Sequence, residues 1–264
     1  MSKGTAVVVR KEVVVEERYC CDGDTELTIH KTSVFSKGDG FIVYNSVGQI
    51  IFRVDSFGSV KHHLLLMDPA GKALLTLLPK RPTLHHRWEG FKGEKSDGQQ
   101  KQPIFSVWKS TIIGRSSVLV QVYSNPPAEY QIDGCYSERR CTISRVHPDH
   151  GPSKTTMAQI KVKVDPIRDI EFGRDVFKLV VKAGFDSAFA MGLVLALDRI
   201  NGDDDVSCYG RHHVRSYTTH NKLKLEGARL RTEEYRVSVA LCMALNFAFK
   251  YSRDGEHQGN GETS

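Results

Sequence analysis

Motifs of the common enzyme classes are missing from this sequence. It contains no Gly-x-Ser-x-Gly, no His-Glu-x-x-His, no glycine-rich phosphate loop and no Cys-x-x-Cys. These patterns position a serine nucleophile, a zinc ion, a nucleotide and a redox-active pair, respectively. We therefore expect a protein that is not an enzyme and that carries no cofactor.

Metal-binding arrangements are equally scarce. Six of the eleven histidines form the adjacent pairs His62-His63, His85-His86 and His212-His213. Neighbouring residues on a strand point to opposite faces of the sheet, so such a pair cannot bind one ion there. The six cysteines have no chelating spacing either. We expect no metal site.

Long apolar runs are also missing, and we expect no leader segment. No stretch reaches the roughly 20 apolar residues that span a bilayer, and the first residues lack the pattern of a secretory signal. Reduced cysteines, as in the cytosol or the nucleus, are then expected. The sequence predicts a cytoplasmic protein without a transmembrane span, with a peripheral membrane or a nuclear location as alternatives.

The charge that is present lies on one part of the chain. The net charge is +6, and residues 203–264 contain 9 basic and 9 acidic residues, so the whole excess lies in residues 1–202. A mild basic excess is compatible with anionic phospholipid headgroups, acidic proteins or nucleic acid. Solubility alone explains it equally well, so the charge selects no partner.

Two hairpins repeat each other in residues 41–54 and 64–77. Their turns place Asn45 three residues before Gly48 and Asp68 three residues before Gly71. Asn or Asp at the first position and Gly at the fourth are typical of a type I turn, and Gly tolerates the positive φ that returns the strand. Repeated hairpins of this kind predict an antiparallel sheet.

Further strands are predicted by short β-rich segments, many with alternating polarity. They cover residues 103–109, 117–123, 129–133, 140–145, 158–164 and 176–182. The polar segments 89–102 and 146–156 are predicted to be exposed loops. An antiparallel sheet of this size has edges, and closing it into a barrel removes them.

Residues 186–200 predict a buried helix. Asp186 or Ser187 is its N-cap, and Asn201-Gly202 predicts its end. Because the centre is apolar all round, the helix must be buried all round. We predict a mainly β protein, a closed antiparallel barrel of about 12 strands around this central helix. Six helix side chains should all be buried: Phe189, Met191, Leu193, Val194, Leu195 and Leu197.

An ordered series of motifs in residues 6–202 resembles the plant LURP-one-related family. Examples are Leu-Thr-Ile-His-Lys at 27–31, Leu-Leu-Met-Asp-Pro-Ala-Gly at 65–71, His-Arg-Trp-Glu at 86–89, Tyr-Gln-Ile-Asp-Gly at 130–134 and Asp-Val-Phe-Lys-Leu-Val-Val at 175–181. The helix at 188–200 is similar to the closing segment of that family.

The resemblance implies both a fold and a function. The family is similar to the tubby C-terminal domain and the phospholipid scramblases, which implies a closed barrel around a central helix. Tubby domains hold phosphoinositide headgroups with basic surface residues, and the LURP-one-related family is associated with plant defence. This implies a non-enzymatic, tubby-like module that binds either an anionic phospholipid headgroup at a membrane surface or a protein partner.

Two other activities are weighed against this expectation. One alternative is a regulator that binds nucleic acid or a protein partner without lipid. Direct nucleic-acid binding is disfavoured, because no basic strand face carries interleaved aromatic residues. Lipid scrambling is not expected either, since the long apolar helix is needed inside the barrel.

The resemblance ends at residue 202, so the chain divides into a barrel domain, 1–202, and a C-terminal extension, 203–264. Residues 233–251 predict a helix whose apolar centre is too short to span a bilayer. Docking onto the barrel or a partner, a poorly packed chain end and membrane insertion are the alternatives for it. Residues 254–264 are predicted to be disordered.

The candidate anion-binding residues are Lys80, Arg81, Arg87 and Lys92, close to Trp88. They follow the second hairpin, where the chain leaves the sheet. Arginine gives bidentate hydrogen bonds to phosphate, and tryptophan favours an interface. The alternative is that the tryptophan belongs to the core and the cations form its solvated rim.

A second basic group consists of Arg139, Arg140 and Arg145. It is a weaker candidate, because Arg139 and Arg140 would face opposite ways on a strand.

Overall fold

The computed structural model describes residues 9–32, 40–56, 63–80, 87–96, 98–110, 117–147, 153–165 and 169–202. These ranges contain fourteen strands and one α-helix, α1 (Ser187–Gly202), with a short 3-10 helix at Glu17–Tyr19. The predicted C-terminal extension 203–264, with its helix at 233–251 and its disordered end, lies outside the described residues.

A closed antiparallel barrel of twelve strands forms the body of the described part. Its strands are β1 (Thr25–Thr32), β2 (Gly40–Tyr44), β3 (Ile50–Ser56), β4 (Leu64–Met67), β5 (Ala73–Pro79), β6 (Trp88–Lys92), β7 (Phe105–Lys109), β8 (Val118–Val122), β9 (Ala128–Cys135), β10 (Arg140–His147), β11 (Ser153–Val162) and β14 (Val176–Val181). Between β11 and β14, the chain forms a two-stranded sheet of β12 (Val164–Asp165) and β13 (Ile170–Glu171).

Neighbouring barrel strands follow the chain order, and β1 closes the ring by pairing with both β2 and β14. The predicted fold class, a barrel of about twelve strands with one helix, is therefore confirmed.

The two predicted hairpin turns have the expected geometry. The N–H of Gly48 donates to the carbonyl of Asn45 at 3.1 Å, and the N–H of Gly71 donates to that of Asp68 at 3.0 Å. Both glycines have positive φ, 81° and 86°. The side-chain oxygens of Asn45 and Asp68 also accept backbone hydrogen bonds within their own turns.

Helix α1 fills the barrel. Asp186 caps it, because its Oδ1 accepts the N–H groups of Ala188 and Phe189 at 3.0 and 3.1 Å. The six side chains predicted to be buried are each at most 2% exposed, and the helix contacts β5, β7 and β14. An apolar helix without a polar face is stable here because strands surround it.

The helix lies close to the barrel wall at Gly192. A Cβ atom at this position would lie 2.5 Å from Cδ2 of Leu75 on β5. One turn earlier, the ring of Phe189 lies 5.0 Å from that of Phe105 and 5.6 Å from that of Tyr130, both edge to face. The helix therefore packs against the barrel wall through the small residue Gly192 and through the aromatic cluster around Phe189.

An N-terminal segment, residues 9–21, lies against the start of the helix. Oδ2 of Asp186 accepts the N–H groups of Val14, Val15 and Glu16 at 3.2, 2.7 and 3.1 Å. Val15 is fully buried in the core. Two isolated bridges, Glu12 with Phe185 and Cys20 with Asp186, attach the segment at either side.

The first predicted loop, 89–102, is wrong at its start, and the second, 146–156, is wrong at both ends. Residues 89–92 belong to strand β6, and β10 and β11 extend into the segment 146–156. Gly90 is buried on β6 because the ring of Phe105 occupies the space that a side chain would need. Its neighbour Phe91 is buried as well. The glycine that suggested a loop is thus a packing requirement of the strand.

Candidate anion-binding surface

Lys80 and Arg87, two of the predicted site residues, lie side by side at one end of the β5–β6 hairpin. The N–H of Lys80 donates to the carbonyl of Arg87 at 2.8 Å. The ammonium group of Lys80 forms an ion pair with Glu89 at 3.0 Å. Arg81, the third predicted residue, lies outside the described residues.

Lys92 is not part of this pair. It is the last residue of β6, five positions beyond Arg87. At about 3.3 Å per residue, the two lie roughly 16 Å apart along the strand. The structure therefore brings Lys80 and Arg87 together and separates Lys92 from them.

Arg87 is engaged by the protein itself. Its guanidinium carbon lies 4.4 Å from the ring centroid of Trp108, and Nη2 donates to the hydroxyl of Tyr123 at 3.5 Å. Trp88 belongs to the core and is 6% exposed. This arrangement is closer to the alternative interpretation, a core tryptophan with cations at its rim, than to a headgroup site.

The second predicted group separates completely. Arg139 has a φ of 55° and occupies the turn before β10. Its buried guanidinium lies 4.2 Å from the ring centroid of Tyr136 and 4.3 Å from that of Phe177. Arg145 forms an ion pair with Glu12 of the N-terminal segment. Only Arg140 is exposed, because the turn at Arg139 removes the expected strand alternation.

Arg140 belongs to a set of cations on the outer wall that the sequence does not group. Lys161 on β11 and Lys178 on β14 are directly opposite each other in the antiparallel register. Cys141 pairs with Ile160 on the inner face, so Arg140 and Lys161 lie beside each other on the outer face. We call Arg140, Lys161, Lys163 and Lys178 the basic strip.

The charges of the basic strip are only partly compensated. Lys178 forms an ion pair with Glu26 at 2.8 Å. The ammonium of Lys163 donates to the hydroxyl of Thr28 at 2.7 Å, and its pKa is lowered, first by burial and then by the charge of Lys178. Arg140 and Lys161 form no ion pair with any residue that the structure describes.

Like charges directly opposite each other on neighbouring strands destabilise a sheet. Glu26 offsets this repulsion at Lys178, and an anion bound at Lys161 would offset the part that remains. This surface is the best candidate for a functional site.

Part of the basic strip could be predicted from the sequence. Lys161 and Lys163 alternate with Ile160 and Val162, and this predicts a wet face on that strand. Nothing in the sequence places Arg140 or Lys178 beside them, because the register of three strands brings these residues together.

Comparison with known proteins agrees with the fold. A crystal structure of an Arabidopsis thaliana protein superimposes with a TM-score of 0.52 at 21% identity, covering 72% of this chain and 98% of that chain. The sequence pattern of the LURP-one-related family matches residues 25–198. The chain belongs to the LURP-one-related family.

Arabidopsis relatives in this family are substantially similar. Protein LURP-one-related 12 is 52% identical over 199 residues, which cover 74% of this chain and 87% of the relative. Protein LURP-one-related 5 is 47% identical over 197 residues, 73% of this chain and 90% of the relative. The resemblance seen in the sequence motifs is confirmed.

Within the described ranges, no helix has both the length and the apolarity that crossing a membrane requires.

Proposed function

We propose that this LURP-one-related chain is a non-enzymatic module that binds the anionic surface of a membrane through the outer wall of its barrel. The observation that carries the proposal is the direct register of Lys161 with Lys178. Helix α1 fills the interior, so binding takes place on the outside. The location that follows is peripheral to a membrane, on its cytoplasmic side.

Charge density, rather than one pocket, supports this function. Arg140, Lys161, Lys163 and Lys178 lie on three adjacent strands or just beyond them, and only Lys178 forms an ion pair with a carboxylate among the described residues. Each cation near an anionic bilayer contributes about 1 kcal/mol of attraction, which falls off within a Debye length. The binding should therefore weaken as the salt concentration rises.

Vesicle flotation tests the proposal. Vesicles of phosphatidylcholine with and without a phosphoinositide are mixed with the full chain, at low and at physiological salt. We expect flotation with the anionic vesicles only, and loss of it in Lys161→Glu/Lys178→Glu. The matched control, Lys80→Glu/Lys92→Glu, makes the same charge change at two residues of the originally predicted cluster and should still float.

The outcomes are distinct. Equal flotation of the strip variant and the wild-type chain would overturn the site, and absence of flotation with any anionic vesicle would overturn membrane binding. Loss in the control variant alone would return the site to Lys80 and Lys92. Thermal melting of each variant checks that the barrel is folded.

A part in plant defence is proposed from the family resemblance. Its test is complementation: pathogen growth in plants that lack the protein should be restricted by the wild-type chain and not by Lys161→Glu/Lys178→Glu. Equal restriction by both chains would separate the defence role from the basic strip.

A further inference from the structure

Two adjacent cavities lie beside the basic strip. The first, of about 300 Å³, is lined by the β9–β10 turn and the segment before β14, and the second, of about 370 Å³, lies over β10 and β11. Three residues line both cavities: Arg140, Val162 and Glu171. The two cavities therefore form one groove with two lobes, and Arg140 stands between them.

Each lobe contains hydrogen-bond donors for an anion. Ser137 and Arg174 line the first lobe. Thr142, Gln159 and Lys161 line the second, where Thr142 and Gln159 are directly paired across β10 and β11. A guanidinium, an ammonium, a hydroxyl and an amide can all donate to phosphate oxygens.

Arg139 fixes the shape of the first lobe. Its Nε donates to the carbonyl of Arg174 at 2.9 Å, and its Nη1 donates to the carbonyl of Tyr136 at 3.2 Å. These bonds join the β9–β10 turn to the segment before β14. Arg139 is thus a positioning residue, and it sets Arg140 at the start of β10, on the outer face.

The carboxylates of the groove limit what can bind. Glu138 lines the first lobe, and Glu171 lines both lobes. They oppose the cations Arg140, Arg174 and Lys161, so the groove has a small positive excess. A ligand with a single weak charge gains little from such a site, whereas one with two separated phosphates can place one in each lobe.

We propose that this groove binds a phosphorylated polyol with two phosphate groups, and that Arg140 contacts both. The proposal deepens the membrane-binding function proposed above, and it rests on that function if the ligand is a lipid headgroup. A free, soluble polyol phosphate carries the same groups and could fill the same groove. The uncharged hydroxyls of the polyol would face the Thr142 and Gln159 side chains.

Calorimetric titration of the full chain with a soluble inositol bisphosphate, and separately with inorganic phosphate, tests the groove. We expect binding of the bisphosphate and an affinity loss of about tenfold or more in Arg140→Gln, the scale of a lost charge-assisted hydrogen bond. Arg10→Gln removes the same charge at an exposed residue outside the groove and should bind as the wild-type chain does.

Glu171→Gln gives a result of the opposite sign. It removes a carboxylate from both lobes, so the affinity for the bisphosphate should rise a fewfold. Damage to the fold cannot produce such a gain. Unchanged affinity in Arg140→Gln, or equal affinity for inorganic phosphate and the bisphosphate, would overturn the two-lobed site.

Comparing vesicle flotation with the binding of soluble bisphosphate separates the membrane function from the groove. Flotation that depends on Lys161 and Lys178, without any binding of soluble bisphosphate, would overturn the groove and support the membrane function. Binding of the soluble ligand without flotation would overturn the membrane function and support a groove for free polyol phosphates. Loss of phosphoinositide preference in Arg140→Gln vesicle assays would support the headgroup source.

Discussion

Asp186 accepts a hydrogen bond from the N–H of Val15 at 2.7 Å, across 171 positions of the chain. The same carboxylate caps helix α1 with its other oxygen. One buried side chain therefore joins the N-terminal segment to the helix. Its burial raises its pKa, and the backbone N–H groups around it oppose that shift.

Replacing this carboxylate should destabilise the protein strongly. Asp186→Ala removes the helix cap and leaves five backbone N–H groups without this acceptor, so we expect a loss of about 3 kcal/mol or more. Urea unfolding followed by circular dichroism measures it. Asp22→Ala, at an exposed carboxylate, is the matched control and should change the stability by less than about 0.5 kcal/mol. Similar losses in both variants would contradict the role of Asp186.

Gly192 should be sensitive to one added methyl group. Gly192→Ala places a Cβ 2.5 Å from Leu75, and this overpacking should cost about 1–3 kcal/mol, more than the roughly 1 kcal/mol that alanine gains over glycine in a helix. Thermal unfolding tests this. A second change, Leu75→Ala, creates space, so the double variant should lose less than the sum of the single losses. Additive losses would contradict direct contact.

The ion pair of Lys31 with Asp198 should be stabilising as a pair. Nζ of Lys31 lies 3.0 Å from the carboxylate, which also accepts the hydroxyl of Tyr136. Lys31→Met leaves this nearly buried carboxylate without its cation. We expect the free energy of unfolding to fall by about 2 kcal/mol, less than for a fully buried pair because Lys31 is partly exposed. A double-mutant cycle with Asp198→Asn, measured by urea unfolding, should show positive coupling. Zero coupling would rule the pair out as a stabilising contact.

Two buried thiols predict a loss of stability at high pH. Burial raises the pKa values of Cys20 and Cys141 from 9.0 to about 12. The unfolded chain then releases these protons at lower pH than the folded chain does, so stability is full below about pH 9 and falls as the pH rises toward 12. Unfolding free energies at a series of pH values measure the slope. Cys20→Ala/Cys141→Ala should reduce it, and Cys21→Ala, at an exposed thiol, should not.

Periodicity and turn chemistry made much of this fold predictable. The Asn45–Gly48 and Asp68–Gly71 turns and helix α1 have local signals, because a turn depends on two residues and an all-round apolar helix on one segment. The closure of the barrel followed from the need to remove sheet edges. These features required no knowledge of which strands are neighbours.

The candidate site was less predictable because it depends on register and on single backbone angles. Arg139 and Arg140 were expected on one strand, but the positive φ of Arg139 places the first in a turn. Lys161 and Lys178 are opposite each other only because β11 pairs with β14. Gly90 suggested a loop. The reason for a glycine there is the ring of Phe105, which lies in another strand and leaves no space for a side chain at position 90.

The pairing of β1 with β14 has a consequence for how the chain is made. Thr25 is paired with Val181, so almost the whole domain must leave the ribosome before the ring can close, and the helix that fills it is synthesised after every barrel strand. Pairings this distant along the chain form slowly, and until then the nascent strands expose apolar edges that invite aggregation. We expect the newly made protein to need the protection of chaperones until β14 and helix α1 have been translated.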